Sequence, residues 1–447
     1  MKGKGVMLEQ IKLAIENLDN LSKTKPIKVI SHNDTDGITS ASIFSRALQR
    51  WNKRFSIEIV KNLEKDYIKE LPEDCILIFL DLGSGSLPEL AEKKTEVFIL
   101  DHHELASREI PKNITMINPQ LYGKENISGA GICYLFAKQL SSGNYDLATL
   151  ATIGMVGDQM EKELTKTYQE ILQDADVTIK KGLLLYPATR PIDKVLEYSS
   201  SLYIPGITGS FAGTIALLRD AGLQKTQHGY KSLAEFTEEE MSNLITAIML
   251  RKIHKSPEDA EKMVGNLYLI KFFNKLEDAR EISALINACS RMDSPEIALS
   301  FCLGNKESRK KAEKIYLNYK QNIAAALRYI NEMEKIEGKN YTIINAQDKI
   351  KDTIIGTTAS IMSHSPLYPE GTIIIAMAYN QDKIKVSARL VGKKGRNVRE
   401  VLTKATVPLK GEVGGHPGAA GCLISKEHEQ TFTQTLQSIL EVDLVKI

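Results

Sequence analysis

An apolar run, Val97 to Leu100, breaks off into Asp101-His102-His103. One carboxylate followed by two imidazoles is poor material for an apolar core and good material for binding a divalent cation. The juxtaposition recurs upstream. Residues 26–31 read as a strand and lead into His32-Asn33-Asp34-Thr35-Asp36-Gly37, and the run 75–80 ends in Asp81. Asp158 follows a small, apolar helical stretch and gains its meaning from joining this set. A polar turn or an Asp36 helix cap would explain any one of these residues, but not three strand ends of the same kind.

Carboxylates dominate the set, imidazoles contribute, and no thiolate takes part. Such oxygen/nitrogen ligation suits Mn²⁺ or Mg²⁺, with the histidines favouring Mn²⁺. The carboxylates suffice for two ions sharing a bridge. Two ions roughly 3.5–4 Å apart activate a water and stabilise an in-line displacement at phosphorus. The chemistry expected is therefore phosphoester or phosphoanhydride hydrolysis. Neither a Walker-type loop nor a Ser/His/Asp constellation competes with it.

The elements that must position these residues are legible around them. Leu8, Ile11, Ile15, Leu18 and Leu21 give a leading amphipathic helix. The runs 26–31, 55–60, 75–80 and 97–100 read as strands of a parallel sheet, whose chemistry gathers beyond the strands' carboxyl ends. Gly37 is expected to turn the backbone before a helix over 38–48. From about residue 200 to 338 the pattern is mostly helical, with isolated His228 and His254 facing solvent and Arg309-Lys310-Lys311 on a solvated helix face. At Tyr341 the period changes to a smaller α/β unit. It carries Ser387-Ala388-Arg389, a basic concentration at Lys393, Lys394, Arg396 and Arg399, and the run 414–421, Gly-Gly-His-Pro-Gly-Ala-Ala-Gly. Paired glycines expose backbone N–H groups and allow a phosphate backbone to come close.

The fold class expected is α/β: a parallel-sheet domain over 1–200, a helical middle over 201–338, and a smaller α/β domain over 339–447. A net charge of +2 gives no global attraction to nucleic acid, so a basic binding surface must be local. Five scattered cysteines without a CxxC pair indicate a reducing compartment, and no apolar run reaches membrane-spanning length. A cytoplasmic protein without membrane attachment is expected.

HNDTDG, FLDLGSG, LDHHE and VGDQ, followed far downstream by GGHPGAAG, resemble the DHH phosphoesterase family with its DHH-associated C-terminal domain. The SGAG segment at 128–131, the length and the helical middle make the chain most similar to the archaeal RecJ-like single-strand exonucleases. Small-molecule members usually place three residues between the first histidine and the first aspartate. Here only Asn33 intervenes, as in the RecJ-like branch.

The resemblance implies one Mn²⁺ on His32, Asp34 and Asp81, and a second on Asp36, Asp81, His102 and Asp158, with Mg²⁺ as the other candidate metal. It implies that His103 faces the scissile phosphate, that Asp101 holds the site together, and that Ser387, Arg389, Gly414, Gly415 and His416 grip the substrate across a cleft. The reaction it implies is exonucleolysis of single-stranded DNA or RNA in DNA replication, repair or RNA turnover. Replication or repair proteins are expected to dock on the helical middle. The alternatives are an oligoribonucleotide or cyclic-dinucleotide phosphodiesterase, and a replication scaffold built on the same fold.

Overall fold

The computed structural model describes every residue except Met1, Lys124, Glu163, 200–203, Pro205, 253–262, Pro366, Lys410, Glu412 and 443–447. His254 therefore lies outside the described residues, whereas His228 is exposed as expected. The chain divides into two compact units, residues 1–316 and 317–447.

The first unit opens with helix α1 (Lys2–Leu21), whose Met7, Ile11, Ala14 and Leu18 are buried. Strands β1 (Ile27–His32), β2 (Phe55–Val60), β3 (Ile76–Leu80), β4 (Val97–Leu100) and β5 (Ile114–Ile117) form one parallel sheet in the order β2-β1-β3-β4-β5. All residues of β3 and β4 are buried, which is why both read as unbroken apolar runs. β5 was not foreseen, because its four residues lack such a run. Ser31 pairs with Leu80 and Leu80 with Leu100, and the ladder continues through Asp81 N–H to the Leu100 carbonyl (2.9 Å). The carboxyl ends of β1, β3 and β4 thus lie side by side.

Between the strands run helices α2 (Thr35–Arg50), α3 (Lys65–Glu70) and α4 (Leu87–Ala91). α5 (Gly129–Leu140), α6 (Ala148–Gly157) and α7 (Lys166–Asp174) follow, with α2, α5 and α6 packed together. α2 starts three residues earlier than expected. Asp34, not Asp36, is its cap, accepting a hydrogen bond from Gly37 N–H (2.9 Å). Gly37 lies inside the helix, so its role is not a turn. A Cβ there would meet the His32 carbonyl oxygen at 2.2 Å, and only glycine fits so close to the strand end.

The middle region is mostly helical, but an antiparallel sheet that alternation does not reveal joins it to the segment before residue 200: β6 (Thr178–Leu183), β7 (Val264–Phe272) and β8 (Lys275–Asp278), in the order β6-β7-β8. β6 is polar and half exposed, so it carries no period-two signal. The helix Ala279–Arg291 follows β8 directly. Arg309 is not on a solvated face: it pairs with Glu277 and Glu313 and lies over the Phe273 ring.

The second unit is built on a six-stranded mixed sheet. Its order is β13 (Val413–His416), β14 (Ala419–Ser425), β12 (Lys383–Leu390), β11 (Ile373–Asn380), β10 (Tyr341–Asn345) and β9 (Ile336–Gly338). The helix Asp352–Ser363 packs on β11 and β12. Among the described residues, no helix is long and apolar enough to cross a membrane.

Candidate metal centre

The loop from β1 into α2 delivers three of the expected ligands. His32 ends the strand, Asp34 caps the helix, and Asp36 sits fully buried in its first turn. A buried carboxylate must find donors. Asp36 Oδ2 accepts from Gly129 N–H (2.6 Å) and Oδ1 from Ala130 N–H (3.0 Å), at the N-terminus of α5. The helix dipole favours a negative group there. A Cβ on Gly129 would lie 2.8 Å from Asp81 Cβ, so the SGAG run lets α5 reach both carboxylates. Tyr168, wholly buried, accepts from Ser128 N–H and steadies this helix start.

Asp81 leaves β3 with a left-handed φ of 58°, a conformation aspartate tolerates better than most residues. Its Oδ2 lies 3.6 Å from His32 Nδ1, and its Oδ1 lies 3.3 Å from His102 Nε2. His102 Nε2 is also 3.2 Å from Asp158 Oδ2 and 3.8 Å from Asp36 Oδ2. Asp158 is the C-cap of α6. His32 Nδ1 is 3.0 Å from Asp34 Oδ2.

Asp101, fully buried, is spent on scaffolding. Its Oδ2 accepts from Ser84 N–H, while Oδ1 accepts from His102 N–H and lies 2.7 Å from His103 Nδ1. Asn118 ties the same loops together, donating to Ser84 Oγ (2.9 Å) and the His103 carbonyl (3.0 Å), and Gln120 donates to the His102 carbonyl. Nothing in the sequence marks this clasp, because β5 has no unbroken apolar run to show where its strand ends. The His103 side chain remains half exposed.

The charges are strongly coupled. Burial disfavours charge on His32, but Asp34 and Asp81 raise it to about 11. His102 is raised against the same penalty to about 12 by Asp158 and Asp81. Burial, then the charges of Asp81 and Asp158, push Asp36 well above the usual carboxylate range. Burial opposes ionisation of Asp34 and Asp101 too, yet His32 and His103 respectively hold them below it.

The donor set fits divalent cations. Ligand atoms of His32, Asp34 and Asp81 lie within 4.8 Å of one another, as do those of Asp36, His102 and Asp158, and those of Asp81, His102 and His103. Both Asp81 oxygens, His32 Nδ1 and His102 Nε2 are buried without a well-directed hydrogen bond. Four such atoms facing one another would be costly in a metal-free site and are natural ligands for cations.

In the second unit, Ser387 and Arg389 lie on β12. Arg389 Nε donates to Ser360 Oγ (2.9 Å) and Nη1 to the Ala388 carbonyl (2.9 Å). Gly414, Gly415 and His416 form the exposed edge strand β13, so the glycine run is a hairpin and not a turn between helix and strand. His416 Nδ1 accepts from Gly418 N–H (3.2 Å). Lys393, Lys394 and Arg399 are exposed, but Arg396 is engaged by the carbonyls of Ile439 and Leu440 at the end of the helix Glu429–Glu441. The basic patch is one residue poorer than the sequence promised.

Residues 26–157 match the DHH family N-terminal domain, 185–264 the DHH-CID domain, and 338–442 the DHHA1 domain. An uncharacterized protein of Methanocaldococcus jannaschii is 29% identical, over 97% of this chain and 99% of its own. RecJ from Thermus thermophilus, solved in complex with Mn²⁺, aligns with 98% of this chain at a TM-score of 0.60 and 20% identity. This chain spans about half of that RecJ, 54%. CDC45 from Entamoeba histolytica aligns with 97% of this chain and 99% of its own at a TM-score of 0.65 and 13% identity. At such identities the two structures show a common fold.

Proposed function

We propose, for a chain that belongs to the DHH family and carries the DHHA1 domain, Mn²⁺-dependent hydrolysis of phosphodiesters, with end-wise cleavage of single-stranded DNA or RNA as the specific reaction. The observation that carries this is the placing of Asp81. One buried carboxylate turns one oxygen towards His32 and the other towards His102, as a bridge between two cation positions requires. On this reading His32, Asp34 and Asp81 hold one ion, and Asp36, Asp81, His102 and Asp158 the other. Two divalent ions bound by these residues would supply an activated water and neutralise charge on the phosphate oxygens. The protein's own contribution is orientation. Asp101 holds His103 by its Nδ1, leaving the Nε2 edge to face the scissile phosphate and to donate a proton or hydrogen bond there.

Ser387, Arg389 and the strand Gly414–His416 are assigned to the substrate phosphates and sugars. Lys393, Lys394 and Arg399 give the strand a local basic track. An oligoribonucleotide or cyclic-dinucleotide phosphodiesterase would use the same chemistry, and dependence of rate on chain length separates the two. The likeness to CDC45 fits a scaffold reading, in which the middle region docks on replication or repair proteins. Against it stand seven side chains of ligand type held around one point.

The test is digestion of end-labelled single-stranded DNA and RNA oligomers with Mn²⁺, alongside Asp81→Ala. A ladder of end-wise products that disappears in the variant is expected. An undiminished rate in Asp81→Ala would remove the two-cation assignment. Cleavage of dinucleotides alone would establish the small-substrate reading.

A further inference from the structure

We propose that Asn287, on the helix Ala279–Arg291 of the middle region, is a positioning residue of the metal centre. It acts through Thr35, and the inference rests on the two-cation reading above. Thr35 is the first residue of α2 and is buried, and its N–H has no partner within the helix. Asn287 Oδ1 accepts that N–H at 3.1 Å, across 252 positions of sequence. The bond falls on the peptide joining Asp34 to Thr35. It therefore fixes the rotation that sets Asp34, whose ψ is −172°.

A second hold comes from the same helix. Thr35 Oγ1 donates to the Ser283 carbonyl (2.9 Å) and lies 3.3 Å from Ser283 Oγ. The end of α6 leans on Thr35 as well: a Cβ on Gly157 would lie 2.7 Å from Thr35 Cβ and 3.5 Å from Ser283 Oγ. Gly157 immediately precedes Asp158. Thr35 is thus the common seat of the loop bearing Asp34 and Asp36 and of the helix end bearing Asp158. Asn287 and Ser283 hold this seat from one helix outside both, and Asn287 is the side chain that takes the Thr35 N–H. Groups that orient ligands without touching the cation commonly change its affinity by about 10–100-fold when removed. The bland alternative, that Asn287 only satisfies a helix end, predicts a loss of thermal stability and no selective change in cation binding.

The experiment uses the full chain with Asn287→Leu, which keeps the volume and loses the acceptor, and Asn287→Asp, which keeps an acceptor in place. Mn²⁺ binding is measured by calorimetry, and kcat and KM on one labelled single-stranded oligomer. Asn287→Leu is expected to weaken Mn²⁺ binding about tenfold and to lower kcat with KM little changed, whereas Asn287→Asp binds Mn²⁺ at least as well as the native chain. Native Mn²⁺ affinity in Asn287→Leu, or equal loss in both variants, would overturn the proposal. Should Asn287→Leu fail to fold, Asn287→Ala takes its place in the same comparison with the same outcomes deciding. A native chain that binds Mn²⁺ but cleaves no oligomer sinks the nuclease reading alone, because the cation affinities still decide the role of Asn287.

Discussion

Asp101 Oδ1 lies 2.7 Å from His103 Nδ1, and the same oxygen accepts the backbone N–H of His102. The carboxylate at the end of β4 therefore sets both the direction and the charge of the second imidazole. The hydrogen bond to Asp101 raises His103 above the ordinary histidine range.

Asp101→Asn keeps the shape and removes the charge. His103 then gives up its proton at lower pH. If the protonated imidazole serves the reaction, the alkaline limb of the kcat–pH profile should move to lower pH and kcat fall about 10²-fold or more. An unmoved limb would take His103 out of the proton-transfer step.

Without metal His32 and His102 hold protons at pH 7 that a cation must displace, because their carboxylate neighbours raise them to about 11 and about 12. Mn²⁺ affinity should accordingly rise with pH, and binding at pH 7 should release protons. Calorimetric titrations in buffers of different ionisation enthalpy measure that number. Identical heats in all buffers would contradict these protonation states.

Gly129→Ala tests the grip of α5 on Asp36. The added Cβ would press on Asp81 from 2.8 Å, and relieving it moves the Gly129 and Ala130 N–H groups off Asp36. Overpacking of this kind costs about 1–3 kcal/mol. The protein should remain folded while Mn²⁺ affinity falls about tenfold or more. Unchanged affinity would show that Asp36 needs no such anchor.

Arg389→Ala should mainly raise KM, since it removes the charged phosphate contact proposed for Arg389 and leaves the residues proposed to hold the cations intact. Affinity of the native enzyme should fall as salt rises, and less steeply in the variant. Equal KM and equal salt slopes would place the substrate elsewhere.

Much of this was legible in the sequence because the central strands are buried on both faces. Such strands must be apolar throughout, so the first polar residue after each run marks a strand end, as at Asp81 and Asp101. What stayed hidden were contacts made across long separations. Nothing near Asp36 announces that Gly129 and Ala130 will hold it, and nothing near Asp34 announces Asn287. β6 stays hidden for the opposite reason: half of its residues are exposed and it has no alternating apolar face to betray it. Arg309 reads as solvated charge and Arg396 as part of a basic patch, because sequence does not show the carboxylates and carbonyls they meet.

The parallel alignment of the five strands divides the first unit into an edge that bears chemistry and an edge that does not. His32, Asp81 and Asp101 all leave the sheet on one side, while the chain enters β2, β3 and β4 on the other. The two sides should tolerate change in chain length very differently. Extra residues between Arg50 and Phe55, where the chain turns back towards the sheet, leave the spacing of the ligands untouched. A single residue added after His32 or after Asp101 displaces the ligand that follows by about 3.3 Å, more than a cation–ligand bond can follow. An insertion scan scored by Mn²⁺ retention should separate the two edges, with the amino-terminal one free to vary in length and the carboxyl-terminal one fixed.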